Sequence, residues 1–203
     1  VDSGAHPLLP PASPGLARLL WVARDGRLLG EAAPPGYYQD VVLSPDGTRL
    51  ALTIVGGQPA TGDIWVRDLA RGVNSRLTFD PDNKLAPAWS PDGDRIAFTR
   101  FRGGEYHCYV KAASGVGTED SMAHVRGGND GPTDWSGAAN TIVLSRLTSG
   151  RWEIWTVPAE GPGVSMHGVG PARPFLQSPF NQHSGRFSPD GRWLAYTSNE
   201  SGR

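Results

Sequence analysis

Three aspartates, Asp46, Asp92 and Asp190, recur in one tetrapeptide, Ser-Pro-Asp-Gly, at Ser44–Gly47, Ser90–Gly93 and Ser188–Gly191. Repeated carboxylates invite an acid–base reading, because a positioned carboxyl can move a proton in a reaction. Their setting argues for turn chemistry instead. Proline fixes φ at the second turn position, aspartate tolerates the third, and glycine closes the turn. One aspartate per repeat unit also keeps the three carboxyls far apart.

A second set of polar residues recurs upstream. Asn83, Asn129 and Asn181 each stand seven residues before a recurring serine (Ser90, Ser136 and Ser188), and Tyr37 holds that place before Ser44. With Gln39 and His183 they form a candidate ligand-binding ring of amide, phenol and imidazole groups. The alternative is that asparagine serves a left-handed turn there.

Other catalytic signatures are absent from the sequence. There is no Gly-x-Ser-x-Gly elbow, no Walker loop, no Gly-x-Gly-x-x-Gly after a strand, and no kinase His-Arg-Asp or Asp-Phe-Gly. His183 precedes Ser184-Gly185, but adjacency in sequence does not make a catalytic pair. The five histidines, His6, His107, His124, His167 and His183, lack metal-ligand spacing. Asp80-Pro81-Asp82-Asn83 offers oxygens suited to Ca²⁺ without the glycine and distal glutamate of a known loop, so it reads as a solvated turn. No catalytic residue, metal or cofactor is expected.

The elements that carry these residues follow from the repeat. A degenerate copy of the tetrapeptide, Ser136-Gly137-Ala138-Ala139, gives serine spacings of 46, 46 and 52 residues. That period fits propeller blades of four strands. The residue before each serine is Leu43, Trp89, Trp135 or Phe187; after it come Leu50-Ala51-Leu52-Thr53, Ile96-Ala97-Phe98-Thr99, Ile142-Val143-Leu144-Ser145 and Leu194-Ala195-Tyr196-Thr197. Large and small residues alternate as they would in a sheet sandwiched between two others. Third strands carry an aromatic: Trp65 in Asp63–Leu69, Tyr109 in His107–Lys111, Trp155 in Glu153–Val157. Fourth strands are expected at Ser75–Thr78 and Arg173–Leu176, and a poorly marked one near Ser121–Val125. The tip at Gly137-Ala138-Ala139, without proline and aspartate, is expected to be looser.

The fold class is therefore all-β: a β-propeller of four-stranded antiparallel blades, with three complete blades (about 37–80, 83–126 and 129–177) and two half blades (17–33 and 181–203). Residues 1–15 read as a proline-rich lead-in. Two half blades could pair into one composite blade and close a four-bladed ring, or belong to a larger ring of six or seven; the second is the expectation. In propellers the loop entering the innermost strand lies at one mouth of the central channel, which is why the ring of Tyr37, Asn83, Asn129 and Asn181 matters. Trp152 and Trp193 fall off the repeated aromatic positions and are the candidates for exposed binding aromatics.

Bulk properties agree. The 203 residues carry 27 Gly, 18 Pro and 7 Trp, as many short strands joined by tight turns require. A net charge of −1 without a basic run gives no footprint for nucleic acid. No apolar run approaches the ~20 residues of a membrane helix. A lone cysteine, Cys108, excludes an intrachain disulfide.

The stretches Leu20–Gly26, Asp63–Leu69, Arg76–Asp80 and Arg186–Arg192 resemble the TolB-like, WD-type β-propeller repeats of bacteria. They look most like the propellers C-terminal to the kinase domain of bacterial serine/threonine kinases. The resemblance implies a non-catalytic recognition or sensor module for a protein, peptide or small ligand, placed outside the cytoplasm as part of a larger protein. It also leaves open the substrate-gating propeller of a prolyl-oligopeptidase-like peptidase.

Overall fold

A computed structural model describes residues 15–57, 61–122, 129–159 and 172–202. Among these there is no helix, and every strand pairs antiparallel. A two-stranded sheet, β1 (Ala17–Val22) and β2 (Leu28–Gly36), comes first. Three four-stranded sheets follow. The first is β3 (Tyr38–Leu43), β4 (Arg49–Gly56), β5 (Thr61–Asp68) and β6 (Val73–Arg76); the second is β7 (Asn83–Trp89), β8 (Arg95–Arg102), β9 (Glu105–Ala112) and β10 (Asp120–Ser121). The third is β11 (Asn129–Ser136), β12 (Thr141–Thr148), β13 (Arg151–Pro158) and β14 (Arg173–Leu176), and a final pair, β15 (Gln182–Phe187) and β16 (Leu194–Ser198), closes the described chain. Strands within each sheet stand in sequence order, the meander of a propeller blade. The two-stranded sheets at either end are separate and do not share a ladder.

The core consists of slabs between neighbouring sheets. Ala51, Ile64, Val66 and Leu77 of one blade meet Trp89, Ile96 and Phe98 of the next. Ala97, Cys108 and Val110 of that blade meet Trp135, Ile142 and Leu144 of the third. The alternation in the sequence explains this: in Ile96-Ala97-Phe98 the large residues fill one slab and the small one fits the other, and all three have no exposed surface. Burying a side chain such as Ile96 or Phe98 contributes about 1.5–3 kcal/mol. Arg49 lies 4.9 Å over the Trp89 ring, and Arg95 lies 5.1 Å over Trp135, so a cation–π contact repeats from blade to blade.

Some local expectations change. β2 runs to Gly36, past the expected end of the first half blade at residue 33, and Ala32 lies buried against Leu50 and Leu52. Trp152 is buried with Leu85 and Tyr106, so it is a packing residue and not an exposed binding aromatic. Trp193 is 70% exposed. The tip at Gly137 is packed rather than loose. A Cβ there would stand 2.8 Å from Pro91 of the preceding tip, so only glycine lets the two turns close up. The turn is rebuilt one residue later: Asn140 donates its N–H to Gly137 O (3.2 Å) and takes φ 46°, a conformation asparagine tolerates.

Candidate functional site

The first strand of each unit, β3, β7, β11 or β15, is an edge strand of its sheet. All four contribute to one cavity of about 220 Å³. Its walls are Asp40 and Val41 from β3, Ala86 and Pro87 from β7, Pro132 and Thr133 from β11, and Ser184 and Arg186 from β15. This is the central channel of the array.

Each strand is irregular where it meets the channel. The ladder shifts between Tyr38 and Asp40, Leu85 and Ala88, Pro132 and Asp134, and His183 and Arg186. Such bulges bend a strand and re-aim its side chains. Ala86 and Ser184 adopt φ 53° and 59°, a costly conformation for residues with a Cβ. Neighbouring blades hold these bulges in place. Ala86 donates its N–H to Asp40 Oδ2 at 3.0 Å, Ser184 to Ser145 Oγ at 2.9 Å, and Phe187 to Asp134 Oδ2 at 2.6 Å. The Thr133 hydroxyl donates to Gly185 O at 2.8 Å. Proline at 132 has no N–H to place.

The asparagine amides bond from one blade to the next. Gly62 donates its N–H to Asn83 Oδ1 (2.6 Å), Tyr106 to Asn129 Oδ1 (2.8 Å) and Trp152 to Asn181 Oδ1 (2.9 Å). In every case the donor opens or lies near the start of the third strand of one blade, and the acceptor stands at the entry to the next blade. The three amides are clasps between blades. Neither Asn83 nor Asn181 has positive φ, so the left-handed turn is not their purpose either. None of the three, nor Tyr37, Gln39 or His183, lines the channel cavity. Tyr37 is exposed and its carbonyl accepts the Val55 N–H at 2.9 Å. Gln39 occupies the β3 bulge. His183 Nδ1 lies 3.0 Å from Ser184 Oγ, and burial holds its pKa below the ordinary histidine value.

The lining residues stand three to five positions after the asparagines. At equivalent positions they share no residue type from blade to blade, so nothing in the repeat marks them. A second position is also silent in the sequence. Lys84, Asp130 and Gln182, each one residue after the asparagine, are all buried polar groups.

At the opposite end of the inner strands the tip aspartates serve the turns. Ser44 donates its hydroxyl to Asp46, Ser90 to Asp92 and Ser188 to Asp190, all at 2.5 Å. The same carboxylates accept the N–H of Thr48, Asp94 and Arg192. The Ser44 hydroxyl above all, then the Thr48 N–H, draws the Asp46 pKa down to about 2.

The Asp80–Asp82 segment is an ion-pair network. Lys84 Nζ lies 2.6 Å from Asp80 Oδ1, and Arg100 Nη2 lies 2.6 Å from Asp82 Oδ2. Arg100 also reaches Glu119 at 3.1 Å. These cations occupy the oxygens that the sequence offers to Ca²⁺. Among the described residues no group of three or more His, Cys, Asp or Glu is placed to hold a metal. A second cavity of about 320 Å³, lined by His107, Cys108 and Asp130 among others, lies between the second and third blades beside Met122. Cys108 is buried there, and burial pushes its pKa up, which makes it a poor nucleophile. No helix among the described residues is long and apolar enough to cross a membrane.

Comparison with known proteins gives consistent matches. The family described as PD40, TolB beta propeller domain, matches residues 32–203. The Tol-Pal system protein TolB of Bordetella pertussis is 30% identical over 156 residues, which are 76% of this chain and 33% of that protein. The chain thus spans about a third of the length of this curated relative. A TolB-like protein from Agrobacterium tumefaciens superposes with a TM-score of 0.70 at 22% identity, over 92% of this chain and 64% of that one. A prolyl oligopeptidase from Galerina marginata, bound to a 35mer substrate, superposes with a TM-score of 0.53 at 18% identity, over 80% of this chain and 25% of that one. At these identities both structures speak for the fold alone.

Proposed function

The chain belongs to the TolB β-propeller family, and on that premise we propose that it is a non-catalytic recognition module that binds a peptide segment of a partner protein at the channel end of the blades. One observation carries this reading. The inner strands of four consecutive units converge on a single cavity whose bulged backbone is strained at Ala86 and Ser184 and held by contacts between blades. Strain of this kind, maintained by its surroundings, gathers at binding sites. Of the hydroxyls at the cavity, that of Thr133 is turned to a backbone carbonyl, and that of Ser145 accepts the Ser184 N–H.

The module belongs in a larger bacterial protein, and attachment to a serine/threonine kinase as its sensor part is the context we favour. The resemblance to kinase-linked propellers in the repeat stretches supports this. A place outside the cytoplasm goes with the same resemblance. The peptidase-gating alternative has only the shared fold behind it.

The test is selection of binding peptides from a random display library on the native protein and on Val41→Trp, which fills the channel from an exposed lining position. The reading expects peptides that bind the native protein and lose at least tenfold in affinity on Val41→Trp. Peptides that bind both equally well would contradict it.

A further inference from the structure

The channel walls hold a carboxylate oxygen that the fold leaves unused. Asp40 carries a carboxylate there, and among its two oxygens only Oδ2 accepts a hydrogen bond, from Ala86. No cation lies within ion-pair distance of Asp40 among the described residues, and Asp40 has no further partner. The single guanidinium of the cavity, Arg186, faces a different carboxylate: its Nη1 lies 4.0 Å from Asp134 Oδ1. Arg186 is thus turned toward Asp134, and Asp40 keeps its charge with no cation beside it.

The backbone points the same way. Pro87 and Pro132 remove two N–H donors from inner strands while leaving their carbonyls in place. The Thr133 hydroxyl and the Ser184 N–H are already donated to Gly185 O and Ser145 Oγ. Val41 and the two prolines give the cavity apolar walls. A volume of about 220 Å³ is below the ~300 Å³ at which drug-sized sites begin, and it suits one long side chain. Lysine and arginine combine an apolar stem with a head that only donates.

Resting on the recognition reading above, we propose that the channel takes the basic side chain of a lysine or arginine from the bound peptide, with its head at Asp40. The carboxylate and the surrounding carbonyls replace the water that the head gives up, and the valine and proline walls cover the stem.

The experiment measures binding of three peptides, acetyl-Gly-Lys-Gly-amide and its norleucine and glutamate counterparts, to the native protein and to Asp40→Asn. Binding is read from amide chemical shifts of Ala86 and Ser184. Asparagine keeps an oxygen for the Ala86 N–H, so the bulge is preserved, and unchanged shifts elsewhere check this. The expected result is that the lysine peptide binds at least tenfold more tightly than either counterpart, and that Asp40→Asn removes the difference. Equal binding of the three peptides, or a lysine preference that survives Asp40→Asn, would overturn the proposal. If display-selected peptides depend on an open channel but carry no basic residue, the recognition reading stands and this inference falls. If none depends on the channel, both fall.

Discussion

Asn129 Oδ1 accepts the backbone N–H of Tyr106 at 2.8 Å, joining the entry of one blade to the third strand of the blade before it. The same bond is made by Asn83 to Gly62 and by Asn181 to Trp152. The asparagine that recurs in the sequence fastens one blade to the next in the structure. The fastener keeps the blades in register and so fixes the shape of the channel between them.

Replacing Asn83 by alanine strands the N–H of the buried Gly62. The expected loss is about 1–3 kcal/mol of unfolding free energy, because an unmade hydrogen bond leaves the desolvation of its donor uncompensated. Asn83→Asp retains the acceptor and is expected to lose less. Urea denaturation measures both, and an alanine variant within about 0.5 kcal/mol of the native protein would remove the clasp from the account.

Gly62 is tied to the same place. A Cβ on it would stand 2.5 Å from Lys84 O and 2.9 Å from a Thr53 methyl group. Gly62→Ala is expected to destabilise by about 1–3 kcal/mol, as overpacking does, with the transition read by tryptophan fluorescence. A stabilised Gly62→Ala variant would mean that the two blades can move apart freely.

Much of the fold was legible because turn chemistry is local. Pro, Asp and Gly specify the tip by their own backbone preferences, and the Leu-Ala-Leu-Thr alternation specifies which face of the strand packs where. The channel was not legible, since what makes it is a bulge. Asp40, Ala86, Pro132 and Ser184 hold the same place relative to the blade serine and share no chemistry, and a bulge shifts every following residue against its partner strand without leaving a composition signature. The asparagines were visible as a period, yet their acceptor role depends on a donor in the previous blade, more than twenty residues earlier. Trp152 is a similar case: its burial beside Leu85 and Tyr106 comes from another blade.

The tip aspartates give a pH dependence with a definite sign. The Asp46 pKa is lowered from 3.8 to about 2 in the folded protein, first by the Ser44 hydroxyl and then by the Thr48 N–H. A carboxyl lowered on folding binds fewer protons in the folded state, so its stabilising contribution is complete above about 3.8 and fades as the pH falls toward about 2. Ser44→Ala removes the largest cause. A carboxyl-carbon NMR titration should then find Asp46 nearer the ordinary value and the other tips unchanged. An unmoved Asp46 would contradict the assignment of Ser44 as the cause.

Lys84 is fully buried, 2.6 Å from Asp80 Oδ1 and 3.7 Å from Asp63 Oδ1, and its Nζ also donates to the carbonyls of Asp80 and Asp82. Lys84→Met keeps the apolar stem and leaves these acceptors without their cation. Removing one partner of a buried pair costs about 3–5 kcal/mol, and the variant should unfold at correspondingly lower urea. A change under about 1 kcal/mol would mean that Arg100, already 3.3 Å from Asp80, takes over the role.

The claim that the blades form a recognition surface at their common channel is tested most directly by mapping a display-selected peptide onto the protein through amide chemical shifts. The predicted result is that the largest changes cluster on Asp40, Ala86, Thr133 and Ser184, from four successive inner strands. Changes confined to the outer strands β6, β10 and β14, with these four residues silent, would contradict it.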